Sequence, residues 1–280
     1  MTEVKGVLIP IGGNEDKGLE EKEDYTLDFV TESILSNVVK EAGGTDANIV
    51  IIPTASSIPK EVSDNYLKAF DQLGCQNLKV LDIRNRMQSS TSETIQALEM
   101  ADCVMFSGGN QSKIAKFIGK TKAHDILAER YMKERFVIAG TSAGAMAMSQ
   151  EMIAGGSSQE SLYKGAVTMG KGLGLIKGLV IDTHFIRRGR FGRVAEAMAL
   201  HPGLLGLGLA EDTGIIIDKG NHFKVIGSGM VLLFDPSKLT HNLYSELEEG
   251  TPISLSNLMV HILANEDEFT LHDRKVIITP

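Results

Sequence analysis

Phe136-Val137-Ile138-Ala139-Gly140-Thr141-Ser142-Ala143-Gly144-Ala145-Met146-Ala147-Met148 is the stretch that decides the fold. An apolar run that reads as a strand passes into a five-residue turn, and the turn into small residues that read as a helix. Glycines on both sides of Ser142 let strand and helix approach closely. Such a turn strains the serine and leaves its hydroxyl exposed above the sheet, which is the context that makes a Gly-x-Ser-x-Gly match point to a nucleophile. Ala143, Gly144, Ala145 and Ala147 follow, and the start of a helix leaves backbone N–H groups free for a developing oxyanion. Ser142 is therefore the candidate nucleophile and Ala143 a candidate oxyanion donor.

Short β-rich apolar runs recur on either side of this segment, at 7–11, 48–52, 78–83, 103–106, 136–139, 178–181 and 205–209. Stretches with helical spacing lie between several of them, at 26–42, 62–73, 92–100 and 113–133. Continuous apolar strands alternating with helices predict an α/β fold with a mostly parallel sheet covered on both faces, and functional loops at the carboxyl ends of the strands. After about residue 211 the rhythm changes to short strands and tight turns, as in Asp218-Lys219-Gly220-Asn221. That predicts an antiparallel extension over about 212–280, with a helix at 254–263 and a terminal strand at 275–279. No internal repeat or low-complexity linker interrupts the chain, so residues 1–280 are expected to form one domain around one sheet.

Composition narrows the function classes. Of 280 residues, 42% are hydrophobic and 23% charged, ordinary for a globular protein. No apolar run approaches the roughly 18 residues of a membrane span, and the N-terminus has no secretory pattern, so no membrane partner and a cytoplasmic location are expected. Two cysteines, Cys75 and Cys103, sit at the edges of apolar segments and fit buried free thiols. A net charge of −8 disfavours nucleic acid as the main partner, because phosphate binding needs basic surface.

A serine hydroxyl needs a base, usually a histidine oriented by a carboxylate. Of seven histidines, six lie in helical, turn, loop or C-terminal positions that suit surface or capping roles. His184 differs: it follows the run 178–181 in Asp182-Thr183-His184-Phe185, on the side of a parallel sheet where Ser142 emerges. For the acid there are two candidates. Glu211 directly follows the run 206–210, and Glu160 follows the glycine-rich Ala154-Gly155-Gly156-Ser157-Ser158 loop. The tract Arg187-Arg188-Gly189-Arg190-Phe191-Gly192-Arg193 comes immediately after the candidate base. Arginine forks bind carboxylates bidentately, so their place in an acidic protein points to a substrate that carries carboxylates. Gly108-Gly109-Asn110-Gln111 follows the run 103–106 and offers backbone and amides for substrate, for an oxyanion hole through Gly109, or for nothing more than a tight turn.

Together with the Gly12-Gly13-Asn14-Glu15-Asp16-Lys17 and Ile52-Pro53-Thr54-Ala55-Ser56 segments, these motifs resemble, in order and spacing, the cyanophycinase family of serine peptidases, which also holds the α-aspartyl dipeptidases. The likeness covers nearly the whole chain. It implies a three-layer sheet like that of class I glutamine amidotransferases, a homodimer, no cofactor and no metal. It also implies an exopeptidase that cuts cyanophycin, a polyaspartate whose side-chain carboxylates carry arginine, into β-Asp-Arg dipeptides. On the matching positions, Ser142 would be the nucleophile, His184 the base and Glu211 or Glu160 the acid, while Gln111, Asp182, Arg188, Arg190 and Arg193 would line the substrate pocket. Thr183 departs from the family, which has glutamine there, and puts that substrate contact in question. Two other classes read less well. Asp182, His184, Glu211 and Asp212 could form a metal set, but no His-x-His or His-Glu-x-x-His spacing supports it. A nucleotide binder would need a Gly-x-Gly-x-x-Gly or Walker motif, and the chain has neither.

Overall fold

The computed structural model describes residues 4–19, 25–158 and 161–279. The first half alternates strand and helix: β1 (Val7–Ile11), α1 (Ile34–Ala42), β2 (Ile49–Ile52), α2 (Pro59–Gln72), β3 (Leu78–Val80), α3 (Ser92–Met100), β4 (Cys103–Phe106), α4 (Gln111–Phe117), α5 (Lys122–Lys133), β5 (Val137–Thr141) and α6 (Ala143–Met146). The second half is richer in strand: β6 (Glu151–Gly156), β7 (Val167–Lys171), β8 (Leu179–Asp182), α7 (Phe191–Leu200), β9 (Leu205–Leu209), β10 (Thr213–Asp218), β11 (His222–Gly227) and β12 (Val231–Asp235). It ends with β13 (His241–Asn242), β14 (Leu255–Ser256), β15 (Met259–Leu263), β16 (Glu268–Thr270) and β17 (Lys275–Ile277).

Where one sheet was expected, the strands of the described residues build two larger sheets and two two-stranded ribbons, β6-β7 and β13-β14. The larger has nine strands in the order β17-β16-β11-β10-β1-β5-β4-β2-β3. From β1 to β3 its pairings are parallel, and from β1 outward to β17 they are antiparallel. The smaller runs β15-β12-β9-β8, with β8 and β9 parallel and β12 and β15 antiparallel. The antiparallel C-terminal stretch is therefore divided, β10, β11, β16 and β17 extending one sheet and β12 and β15 the other. In the large sheet, alternate residues of each parallel strand face two different cores. Ile9, Ile49, Met105 and Ala139 pack on one face with α1 and α2; Leu8, Val50, Val104 and Ile138 join the other, which runs on into β8, β9 and β12 of the small sheet. Burial on both faces is why these strands read as continuous apolar runs.

Three helical expectations change. The 26–42 stretch becomes helical only at Ile34, where Ser33 caps α1 by accepting the Ser36 N–H. The 113–133 stretch breaks into α4 and α5 around Gly119 and Lys120, the latter at φ 57°, before Thr121 caps α5. The helix expected at 254–263 is strand: Met259–Leu263 pairs antiparallel with β12, from Val231 opposite Leu263 to Asp235 opposite Met259. Its apolar residues suit either period over so short a run, and a free edge on β12 settles the outcome. The glycine-rich segment at 154–158 is likewise in large part strand, the end of β6 paired with β7 across a register shift at Ile153 and Gly155. The Asp218–Asn221 turn forms as expected, with Lys219 and Gly220 at φ 50° and 65° in a β10–β11 hairpin.

Candidate active site

Ser142 stands between β5 and α6 at φ 51° and ψ −108°. A non-glycine residue there stores strain on the order of 1–3 kcal/mol. The flanking glycines make the turn possible. A Cβ on Gly140 would lie 2.8 Å from the Gly144 carbonyl carbon, and one on Gly144 would lie 2.7 Å from the Phe106 oxygen. Ser142 N–H donates to Ile11 O at 2.8 Å, which ties the turn to the end of β1. Thr141, one residue earlier, donates its hydroxyl to the buried Glu15 carboxylate at 2.5 Å.

His184 follows β8, also at positive φ, 50°. Its Nε2 lies 3.1 Å from Ser142 Oγ and its Nδ1 2.8 Å from Glu211 Oε1. Glu211 follows β9, and its second oxygen accepts from Arg187 Nη1 at 3.0 Å. Desolvation acts to raise the Glu211 pKa, but hydrogen bonds from His184 and Arg187 outweigh it and hold the carboxyl below the usual range. Burial depresses the His184 pKa most, with the charges of Arg188 and Arg190 adding to it against the pull of Glu211. The imidazole is therefore neutral near pH 7. With Nδ1–H assigned to Glu211 by the hydrogen-bond network, the Nε2 lone pair is free to take a proton from Ser142.

Three successive carbonyls at the end of β1 gather these segments. Ile11 O accepts from Ser142 N–H, Gly12 O from His184 N–H at 2.8 Å, and Gly13 O from Asp212 N–H at 2.9 Å. Both glycines are forced. A Cβ on Gly12 would be 1.8 Å from Ala210 O, and one on Gly13, at φ 107°, would be 2.4 Å from His184 Cε1.

The cavity beside Ser142 measures about 440 Å³ and is lined by Ser142, His184, Gly108, Gly109, Arg188, Lys17 and Tyr66 among others. Arg188 is exposed, and among the described residues no carboxylate pairs with it. Arg190 and Arg193 are held elsewhere. Arg190 Nη1 donates to Asp182 Oδ1 and Thr183 O, both at 2.8 Å, and Arg193 Nε lies 3.1 Å from Asp182 Oδ2. Asp182 is fully buried, so it fixes two guanidinium groups and does not itself face the cavity. Thr183 is also fully buried, its hydroxyl directed at Met146 Sδ, so the residue that departs from the family pattern faces protein and not the cavity. Gln111 opens α4 and donates from Nε2 to Ile153 O at 2.8 Å, joining α4 to β6. Glu160 lies outside the described residues. Gly108 abuts Ser142, since a Cβ on it would sit 3.4 Å from Ser142 Cβ, while Gly109 adopts φ 137° against Ala55. Ala143, the first residue of α6, has no intrahelical acceptor for its N–H. Among the described residues no group of three or more His, Cys, Asp or Glu is placed to hold a metal ion, and no helix is long and apolar enough to cross a membrane.

Sequence reading assigned no role to Glu15, Lys17 or Tyr66. The carboxylate of Glu15 receives Thr141, Tyr66 and Lys17 together. The loop after β1 could have flagged Glu15 and Lys17, because it emerges at the same rim as Ser142; Tyr66 is one aromatic on a helix and carries no such signal.

Similar proteins give the family. The profile of peptidase family S51 matches residues 26–226. A cyanophycinase of Trichormus variabilis is 36% identical over 275 residues, covering 98% of this chain and 88% of the relative. One from Geminocystis herdmanii is 35% identical over 266 residues, covering 95% and 94%. The structure of a peptidase from an acI-B1 Actinobacterium shares the fold with a TM-score of 0.62 at 20% identity, over 93% of this chain and 98% of that one. A putative peptidase E from Listeria monocytogenes EGD-e superposes with a TM-score of 0.51 at 19% identity, over 79% and 98%. The chain is a hydrolase of the peptidase class and belongs to peptidase family S51.

Proposed function

We propose that this chain is a serine exopeptidase that hydrolyses cyanophycin to β-Asp-Arg dipeptides through an acyl-enzyme on Ser142. The observation that carries the mechanism is the chain of contacts from Glu211 Oε1 through His184 to Ser142 Oγ, at 2.8 and 3.1 Å, on a strained strand-to-helix turn. His184 takes the hydroxyl proton as Oγ forms a bond to the scissile carbonyl carbon. Glu211 orients the ring and stabilises the imidazolium. The backbone N–H groups of Gly109 and Ala143 receive the oxyanion. Collapse breaks the C–N bond, the proton on Nε2 passes to the leaving amine, and water then repeats the sequence to free Ser142.

The substrate assignment rests on the cyanophycinases at 36% and 35% identity over nearly the full chain, and on Arg188 facing the cavity with no carboxylate partner among the described residues, suited to a substrate carboxylate. Asp182 keeps Arg190 and Arg193 fixed beside it. Incubation with insoluble cyanophycin should release β-Asp-Arg, read by mass spectrometry, and Ser142→Ala should release none. Cleavage of simple aspartyl dipeptides without release from the polymer would move the assignment to a related dipeptidase. The same reading carries a homodimer: light scattering should give about twice the 30.3 kDa chain mass, and a monomer mass would contradict it.

A further inference from the structure

Lys17 enters the cavity from the side of the β1 loop. Its ammonium lies 2.8 Å from Glu15 Oε1 and 3.3 Å from Glu15 O, and 5.0 Å above the Tyr66 ring. Glu15 is fixed in turn. It is buried, and its carboxylate also accepts hydrogen bonds from Thr141 and Tyr66. An ammonium has three donors, and two are engaged by Glu15; the third has no protein partner among the described residues. Among the described residues, Lys17 and Arg188 are the lysine and arginine that line the cavity. The acidic residues beside Lys17 do not compete for a ligand: the oxygens of Glu15 are taken, and Asp16 Oδ1 accepts the Gly18 N–H at 2.8 Å. A lysine held this way is a pre-placed donor for an anion, because little side-chain freedom remains to be lost on binding.

We propose that Lys17 binds the free C-terminal α-carboxylate of the substrate and so sets the preference for cleavage at a chain end; this rests on the peptidase reading above. Arg188 and Lys17 then divide two recognition tasks in one cavity, and Glu15 acts as a positioning residue for Lys17 while it steadies Thr141 next to Ser142. A chain interior has an amide where the chain end has a carboxylate, so it offers this donor no charge.

The test compares a short β-Asp-Arg oligomer bearing a free C-terminal carboxylate with the same oligomer amidated there. Wild-type protein should show a KM for the free acid lower on the order of 10-fold or more, the scale of one charge-assisted hydrogen bond. In Lys17→Met, and equally in Lys17→Gln, the ratio of the amide KM to the acid KM should fall to about one. Free β-Asp-Arg should inhibit the wild type competitively, and its amide should do so far more weakly. Equal KM values for acid and amide in the wild type would overturn the proposal whether or not the variants fold, as would a variant that still tells them apart. A fluorophosphonate probe run in parallel separates the two readings. An unlabelled wild type contradicts the serine peptidase itself, whereas a labelled wild type that treats acid and amide alike contradicts only the role of Lys17.

Discussion

Ser142 leaves the carboxyl end of β5 in the nine-stranded sheet, whereas His184 and Glu211 leave β8 and β9 in the four-stranded sheet. The first position is built by its neighbours in sequence. Gly140 permits the close approach of β5 and α6, Gly144 that of α6 and Phe106 at the end of β4, and Ser142 takes a φ of 51° between them. The second position is built across the seam between the sheets, by Gly12 O and Gly13 O accepting from His184 and Asp212. The serine turn thus draws mainly on five neighbouring residues, with one bond to Ile11 O, whereas the segments of His184 and Glu211 depend on contacts some 170 to 200 residues apart. The Gly12-Gly13 pair is the clasp on which their alignment depends.

Four substitutions would break or sharpen that contrast. Ser142→Ala removes the nucleophile and should lower kcat by about a millionfold with KM little changed, the scale seen when one member of such a set is deleted. Glu211→Gln keeps the shape but loses the charge and the tautomer control on His184. A loss of about 10⁴-fold in kcat is expected from steady-state assays on the polymer, with the fold intact by circular dichroism. Gly13→Ala acts on the seam alone. Its Cβ would press on His184 Cε1, 2.4 Å away, at a φ of 107°. It should cost about 100-fold in kcat, and about 1–3 kcal/mol of stability from the strained backbone in chemical unfolding. An unchanged kcat would show that the seam does not position the histidine.

The smallest effect concerns pH. Burial first, and then Arg188 and Arg190, depress the His184 pKa, so kcat/KM should fall on the acid side with a midpoint below the ordinary value of about 6.5. Arg188→Ala removes one of the depressing charges. The acid midpoint should move up in pH, and KM should rise more than kcat falls. A pH–rate profile of both proteins checks the sign: a midpoint that stays or moves down would mean that Arg188 does not act on His184.

Much of the fold was legible because parallel strands buried on both faces leave continuous apolar runs, and β1, β2, β4, β5, β8 and β9 were all marked this way. Partnership was not legible. Nothing in the run Leu179–Asp182 distinguishes a strand of the large sheet from one of a second sheet, because both environments bury both of its faces. Met259–Leu263 misled for the related reason that edge pairing with β12, and no period of its own, makes it strand. At the site, candidates that follow a strand end were readable: Ser142, His184 and Glu211 each do so and are linked by hydrogen-bond contacts through His184, whereas Glu160, the other candidate acid, lies outside the described residues. The arginine tract was readable as charge but not as geometry. Only the folded chain separates Arg188, which faces the cavity, from Arg190 and Arg193, which Asp182 holds. Tyr66 was silent, since one aromatic on a helix carries no signal until its hydroxyl meets the carboxylate of Glu15.

The most direct test of Ser142 as a nucleophile activated across the seam is intact-mass and peptide mapping after treatment with a fluorophosphonate probe near pH 7. One adduct per chain is expected, on the peptide that carries Ser142, forming fast in the wild type and at least 100-fold more slowly in His184→Ala. Labelling at another residue, no labelling of folded protein, or an equal rate without His184 would contradict it.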